Sequence, residues 1–148
     1  MNYRHLSADD PRELAEDVRR LFDELERSRD ETCRGECTPA LDVVETADAF
    51  EIIVDLPGVA ADSVRVLLKT GTVVVVGEKD PPPSRADARF HMVERSFGRF
   101  ARAVRLTGAV DAAGTRARLS DGELRIVMPK VTERRGREIR VEIETDIK

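Results

Sequence analysis

Large aromatic rings are scarce in this chain. Tryptophan is absent, tyrosine occurs once, and aromatics make up only 4% of 148 residues, so any core must be built from aliphatic side chains. Histidine occurs only as His5 and His91, and cysteine only as Cys33 and Cys37. The histidines stand far from the cysteines in sequence and lack ligand spacing, so no metal site is expected. In "CRGEC" two reduced, inert thiols are the expectation for a cytosolic chain, although a reversible bond across Gly35 is sterically open. No apolar run approaches the roughly 20 residues that span a bilayer. The opening "MNYRHLSADD" has no apolar leader segment. A cytoplasmic chain without a membrane partner is therefore expected.

Signals for catalysis are missing too. There is no G-x-S-x-G elbow and no H-E-x-x-H pair, so no catalytic residue is nominated and the chain is not expected to be an enzyme. "GTVVVVGEK" superficially resembles a phosphate-binding loop, but its spacing is one residue too long and Glu78 stands where lysine belongs. No nucleotide and no other cofactor is expected. Basic excess is lacking as well: 25 Lys and Arg face 29 Asp and Glu, for a net charge of −4, which argues against nucleic acid as a partner.

What is present is a change of period. In "DDPRELAEDVRRLFDELER", Asp10 suits an N-cap, Pro11 the first helical position, and Glu13 a capping box. Leu14, Val18, Leu21, Phe22 and Leu25 then form one apolar stripe at helical spacing, and the helix should fade after about Arg29 as the period is lost. From Leu41 the period is two. Phe50, Ile52, Val54 and Leu56 share a face, and Pro57-Gly58 fits a type II turn. Val64, Val66 and Leu68 share another face. "TVVVVGE" is β-branched on both parities, which predicts a strand covered on both sides. Three consecutive prolines from Pro81 impose an exposed loop. "RFHMVER" and "FGRFARAVRL" alternate again, and "ARLSDGELRIVMP" reads as a hairpin turning on Asp121-Gly122 and closed by Pro129. About eight short strands without an intervening helix predict an all-β chain, an antiparallel immunoglobulin-like β-sandwich. Beyond it, Ile139, Val141 and Ile143 alternate in a charged tail, which pattern alone reads either as a strand that pairs with an edge elsewhere or as a ninth strand of the sheet.

Several of these stretches, in order, resemble the small heat shock proteins, the Hsp20 or α-crystallin domain family. "ARLSDGEL" is similar to its A-x-x-x-[ND]-G-x-L signature, "DLPG" to its turn after the second core strand, and "ERSFGRFARAVRL" to its E-R-x-x-G-x-F-x-R-x-x-x-L segment. "DPRELAEDVRRLFDEL" looks like the arm of bacterial members, and Ile139-Arg140-Val141 stands ten residues after Pro129, where the family carries an I-x-I/V tail. Departures are Glu123 after the turn, Thr107 in place of proline, and a second overlapping pair, Val141 and Ile143, which leaves open which pair docks.

The resemblance implies a helical arm at 1–39, an α-crystallin sandwich at 40–130 and an extended tail at 131–148. It further implies an ATP-independent holdase that keeps unfolding client proteins from aggregating. Clients would meet the stripe of Leu14, Val18, Leu21, Phe22 and Leu25, for which ordinary helix packing within the assembly is the equal alternative, and a groove formed by Val64, Val66, Leu68, Ala117 and Leu119. That groove would otherwise take a neighbour's tail, Ile139, Val141 or Ile143. A homodimer would form by exchange of the segment Phe90, His91, Met92, Val93, Glu94 and Arg95, with Arg102 at the interface. Arg102 shares the parity of Phe100 and Val104, where a charge is costly unless paired; a carboxylate partner, in the same chain or across the dimer, is the expectation. The competing expectations are a p23-like co-chaperone and a non-chaperone β-sandwich interaction module.

Overall fold

Asp121 and Gly122 both adopt positive φ, 53° and 80°, as a two-residue hairpin turn of mirror type requires. They join strands Arg116–Ser120 and Glu123–Pro129. Gly58 likewise holds φ at 78° after Pro57, and the Val59 amide closes that turn on the Leu56 carbonyl.

The computed structural model describes residues 10–26 and 36–131. His5, Cys33, the expected helix end near Arg29, and the tail residues Ile139, Val141 and Ile143 lie outside the described residues. In chain order the elements are helix α1 (Pro11–Glu26), then β1 (Leu41–Glu45), β2 (Ala49–Asp55), β3 (Val64–Lys69), β4 (Thr72–Lys79), β5 (Gly98–Arg105), β6 (Arg116–Ser120) and β7 (Glu123–Pro129). A single 3₁₀ turn, Ala61–Ser63, leads into β3. All pairings between strands are antiparallel, in one four-stranded sheet ordered β1-β2-β7-β6 and one three-stranded sheet ordered β3-β4-β5. The fold is the expected antiparallel β-sandwich.

Among the described residues seven strands form, where about eight were expected. "RFHMVER" alternates in sequence but makes no strand, and residues 80–96 are exposed throughout. Alternation needs a neighbouring backbone to become a strand, and this segment has none among the described residues.

The core lies between the sheets. Phe50, Ile52 and Val54 of β2, Leu124, Ile126 and Met128 of β7, and Val73 and Val75 of β4 meet Phe100 and Leu106 there. Gly77 marks the tightest approach: a Cβ at that position would collide with the Phe100 ring and lie 2.7 Å from the Ser63 carbonyl oxygen. The opposite parity of β4, Val74 and Val76, faces outward yet is 2% and 0% exposed. Its cover is α1.

Candidate functional site

Helix α1 begins where the sequence says it should. The Arg12 amide donates to the Asp10 carboxylate at 2.9 Å, one of the orphan amides a cap exists to satisfy. The capping box is not completed, because the Glu13 carboxylate accepts from Lys69 instead. Every residue of the apolar stripe then turns onto the three-stranded sheet: Leu21 and Leu25 are buried, and Leu14, Val18 and Phe22 half-buried, against Leu67, Val74 and Val76. Burial of Leu21 and Leu25 contributes about 1.5–3 kcal/mol each, offset in part by ordering the helix.

At the rim, Lys69 Nζ donates to Asp17 Oδ2 at 3.0 Å as well as to Glu13. These two hydrogen bonds, Glu13's first and Asp17's second, hold the Lys69 ammonium above lysine's ordinary pKa. The Arg99 guanidinium lies 5.6 Å from the centre of the Phe22 ring, a distance at which a cation is drawn to the ring face. The sequence pattern pointed to the stripe. It did not point to Leu67, Val74, Val76 and Lys69 as its receptor, although "TVVVVGE" signalled that something had to lie there.

The four sheet edges are not equivalent. Along β5, Glu36 bridges Arg99 and the Cys37 amide donates to the Arg99 carbonyl at 3.0 Å, so that edge is partly occupied by its own chain. Arg102 reinforces this cover: its guanidinium donates to the Pro39 carbonyl at 2.6 Å. Within the described residues Arg102 thus meets a backbone oxygen; a carboxylate from across a dimer is a contact that a single chain does not test. A carbonyl on the segment leading into β1 accepts one of the five N–H groups of a half-buried guanidinium. Cys37 is half-buried beside the Gly98 carbonyl. Burial pushes its thiol pKa up despite the opposing charge of Lys79, which keeps it protonated and poorly nucleophilic.

The β1 edge stays open, with Val43 and Val44 46% and 43% exposed. β3 and β6 are also edge strands. Of the expected groove residues, Val64 is buried in the core, Leu68 and Leu119 are half-buried against it, and Val66 and Ala117 are exposed. Val64 therefore offers little surface to an incoming chain. On the outer face of β6 and β7, Arg116, Arg118 and Arg125 line a shallow concavity. Arg118 stands directly opposite Arg125 in register, and Arg125 is paired with Glu51 at 2.9 Å.

The segment Phe90 to Arg95, expected to exchange between copies, is the most exposed apolar stretch of the described chain. Phe90, Met92 and Val93 are 72%, 75% and 64% exposed, and His91, Glu94 and Arg95 are exposed beside them. Apolar side chains left in water at this density mark a surface meant for contact. No cluster of three or more metal-ligating side chains occurs among the described residues, and none of their helices is long and apolar enough to cross a membrane.

The described residues thus form an antiparallel two-sheet β-sandwich with β1, β3 and β6 as edges that pair with no further strand, an apolar segment held in solvent and an amphipathic helix laid on one sheet. The comparisons make this specific. Residues 42–144 match the model of the Hsp20/alpha crystallin family, and the chain belongs to that family, one of small heat shock proteins and not of enzymes. It is 38% identical over 103 residues to spore protein SP21 of Stigmatella aurantiaca, which covers 70% of this chain and 61% of that protein. It is 29% identical over 104 residues to small heat shock protein C4 of Rickettsia felis, covering 70% and 64%. The matched stretch thus spans less than two thirds of either relative. Among solved structures, a small heat-shock protein from Xylella fastidiosa aligns with a TM-score of 0.61 at 31% identity, over 72% of this chain and 98% of that one. Heat shock protein 16.0 from Schizosaccharomyces pombe aligns with a TM-score of 0.63 at 28% identity, over 76% and 99%.

Proposed function

We propose that this protein is an ATP-independent holdase: it binds unfolding client proteins in the cytoplasm and suppresses their aggregation. One observation carries the reading. Among the described residues Phe90, Met92 and Val93 are exposed on a segment that pairs with no strand, and the outer edge of β1 is likewise without a strand partner. Unfolding proteins aggregate through the same two features, apolar side chains and free strand edges. A molecule that displays both in a soluble, strongly charged frame can occupy them in others.

The working unit is a homodimer made by strand exchange. Residues Phe90 to Arg95 of one copy pair with β1 of the other, and Arg102 lies near that contact. Charge is compatible with this edge, since Arg89 and Arg95 flank the segment and Asp42 lies on β1, while Glu45 there is already paired with Lys130. The division into an arm at 1–39, a sandwich at 40–130 and a tail at 131–148 gives each part a task. Larger assemblies form when the tail of a neighbour, through Ile139 and Val141 or Val141 and Ile143, docks along the β3 and β6 edges beside Val66, Leu68, Ala117 and Leu119. Two branched side chains so buried contribute about 3–6 kcal/mol before ordering costs, a magnitude compatible with reversible exchange for a client. Nucleic acid, membrane, metal and cofactor have no part in this activity.

The test is a light-scattering assay with a heat-unfolding enzyme and no nucleotide. The expected outcome is that near-stoichiometric amounts of the protein keep the enzyme soluble. Precipitation at the rate of the enzyme alone, at every ratio, would defeat the proposal and favour a non-chaperone interaction module.

A further inference from the structure

The outer face of β4 is apolar by sequence, so it needs a cover wherever α1 is. Val74 and Val76 are almost fully buried beneath the helix, and Leu67 of β3 joins them. Lys69 at the rim takes two carboxylates one helical turn apart, Glu13 and Asp17. Arg99 on β5 faces the ring of Phe22. What the face meets in α1 is a simple pattern: an amphipathic helix with branched aliphatic residues on one stripe and an i, i+4 pair of acids toward its N-terminal end.

We propose that this face of β3 and β4 is a docking site for amphipathic helices presented by unfolding proteins, and that α1 is its tethered competitor. The inference rests on the holdase reading and names a class of segment that such an activity selects. A segment tethered to its own site competes at an effective concentration on the order of millimolar when its linker is short. In the closed state α1 hides two apolar surfaces at once, its own stripe and the sheet beneath, so the resting molecule is protected from association through this face. A guest helix that displaces α1 is held on the sheet while the freed stripe becomes available to the same client.

The experiment uses the full chain and two labelled peptides, one with the sequence of residues 10–26 and one of unrelated sequence with the same spacing of aliphatic and acidic positions. In the variant L21E/L25E the helix no longer covers its site, and both peptides are expected to bind about tenfold tighter than to the parent chain, as removal of a competitor that occupies the site some nine-tenths of the time requires. Adding Val74→Glu to that variant should abolish the gain. Circular dichroism and slow amide exchange in β2 and β7 check that the sandwich persists. In the parent chain, independent of any substitution, excess of the unrelated peptide should speed amide exchange in α1. The proposal is overturned by equal binding to parent and L21E/L25E, by indifference to Val74→Glu, or by unchanged α1 exchange. Binding of the self-sequence peptide alone also overturns it, in favour of arm exchange between copies. Peptide binding with no protection of a heat-unfolding enzyme would sink the holdase reading and leave the docking site standing; protection without peptide binding would do the reverse.

Discussion

Thr70 holds a φ of +48° in the two-residue turn between β3 and β4, followed by Gly71 at +78°. A β-branched residue enters that region only when its surroundings force it, at a cost of order 1–3 kcal/mol. Thr70→Asn, which suits the same turn type, should stabilise the protein by about 1 kcal/mol, read as a higher urea midpoint with an unchanged slope. The turn was hard to see in sequence for the same reason, since threonine is a poor marker of positive φ. Gly77 shows the opposite case, a small residue that packing demands. Gly77→Ala should destabilise by about 1–3 kcal/mol, because the new methyl must displace Phe100 or the Ser63 backbone; an unaltered midpoint would contradict this. Arg102 was legible as a charge at an inward position, and the need for a partner followed. Which partner was not legible, because Pro39 is distant in sequence and contributes only its carbonyl.

At the scale of elements, α1 and β4 explain one another. The stripe on α1 predicted burial of one helix face, and the paired parities of Val73 to Val76 predicted a cover on each side of the strand. Neither pattern identifies the other as its mate. That pairing depends on Lys69 standing where it meets Glu13 and Asp17, 56 and 52 residues away. Because the folded state raises the Lys69 pKa, its contribution to docking is fully present below lysine's ordinary value of about 10.4 and is lost as pH rises through the raised value. Amide protection of α1, corrected for intrinsic exchange, should show no lysine titration between pH 7 and 9 and should fall only in stronger alkali. Lys69→Ala should loosen α1, with faster exchange in the helix and little change in β2 or β7. Uniform loss of protection would mean that the helix and sandwich unfold as one unit.

For the whole molecule, the decisive feature is the inequality of the edges. Residues 36–39 cover part of β5, while β1, β3 and β6 stay free of other strands of the described chain. Assembly through those edges should be separable by mutation. Ile139→Gly with Val141→Gly is expected to reduce the mass of any species above the dimer while leaving the dimer intact, as measured by light scattering behind size exclusion. Met92→Pro is expected to shift dimer toward monomer at micromolar concentration, since proline removes a ladder amide. Dimers indifferent to Met92→Pro would place the contact elsewhere.

By itself the sequence determined the strands with one buried face, the turns at Pro57-Gly58 and Asp121-Gly122, the start of α1 and the family signatures. These are properties of neighbouring residues, and side-chain period, proline and positive φ are set within a few residues of each other. Tertiary structure alone decided that α1 closes the outer face of β4, that Arg102 answers to Pro39, and that the alternating segment around Met92 stays out of both sheets. Each of those outcomes depends on which distant surface is near enough to compete with water, and local pattern carries no such distance.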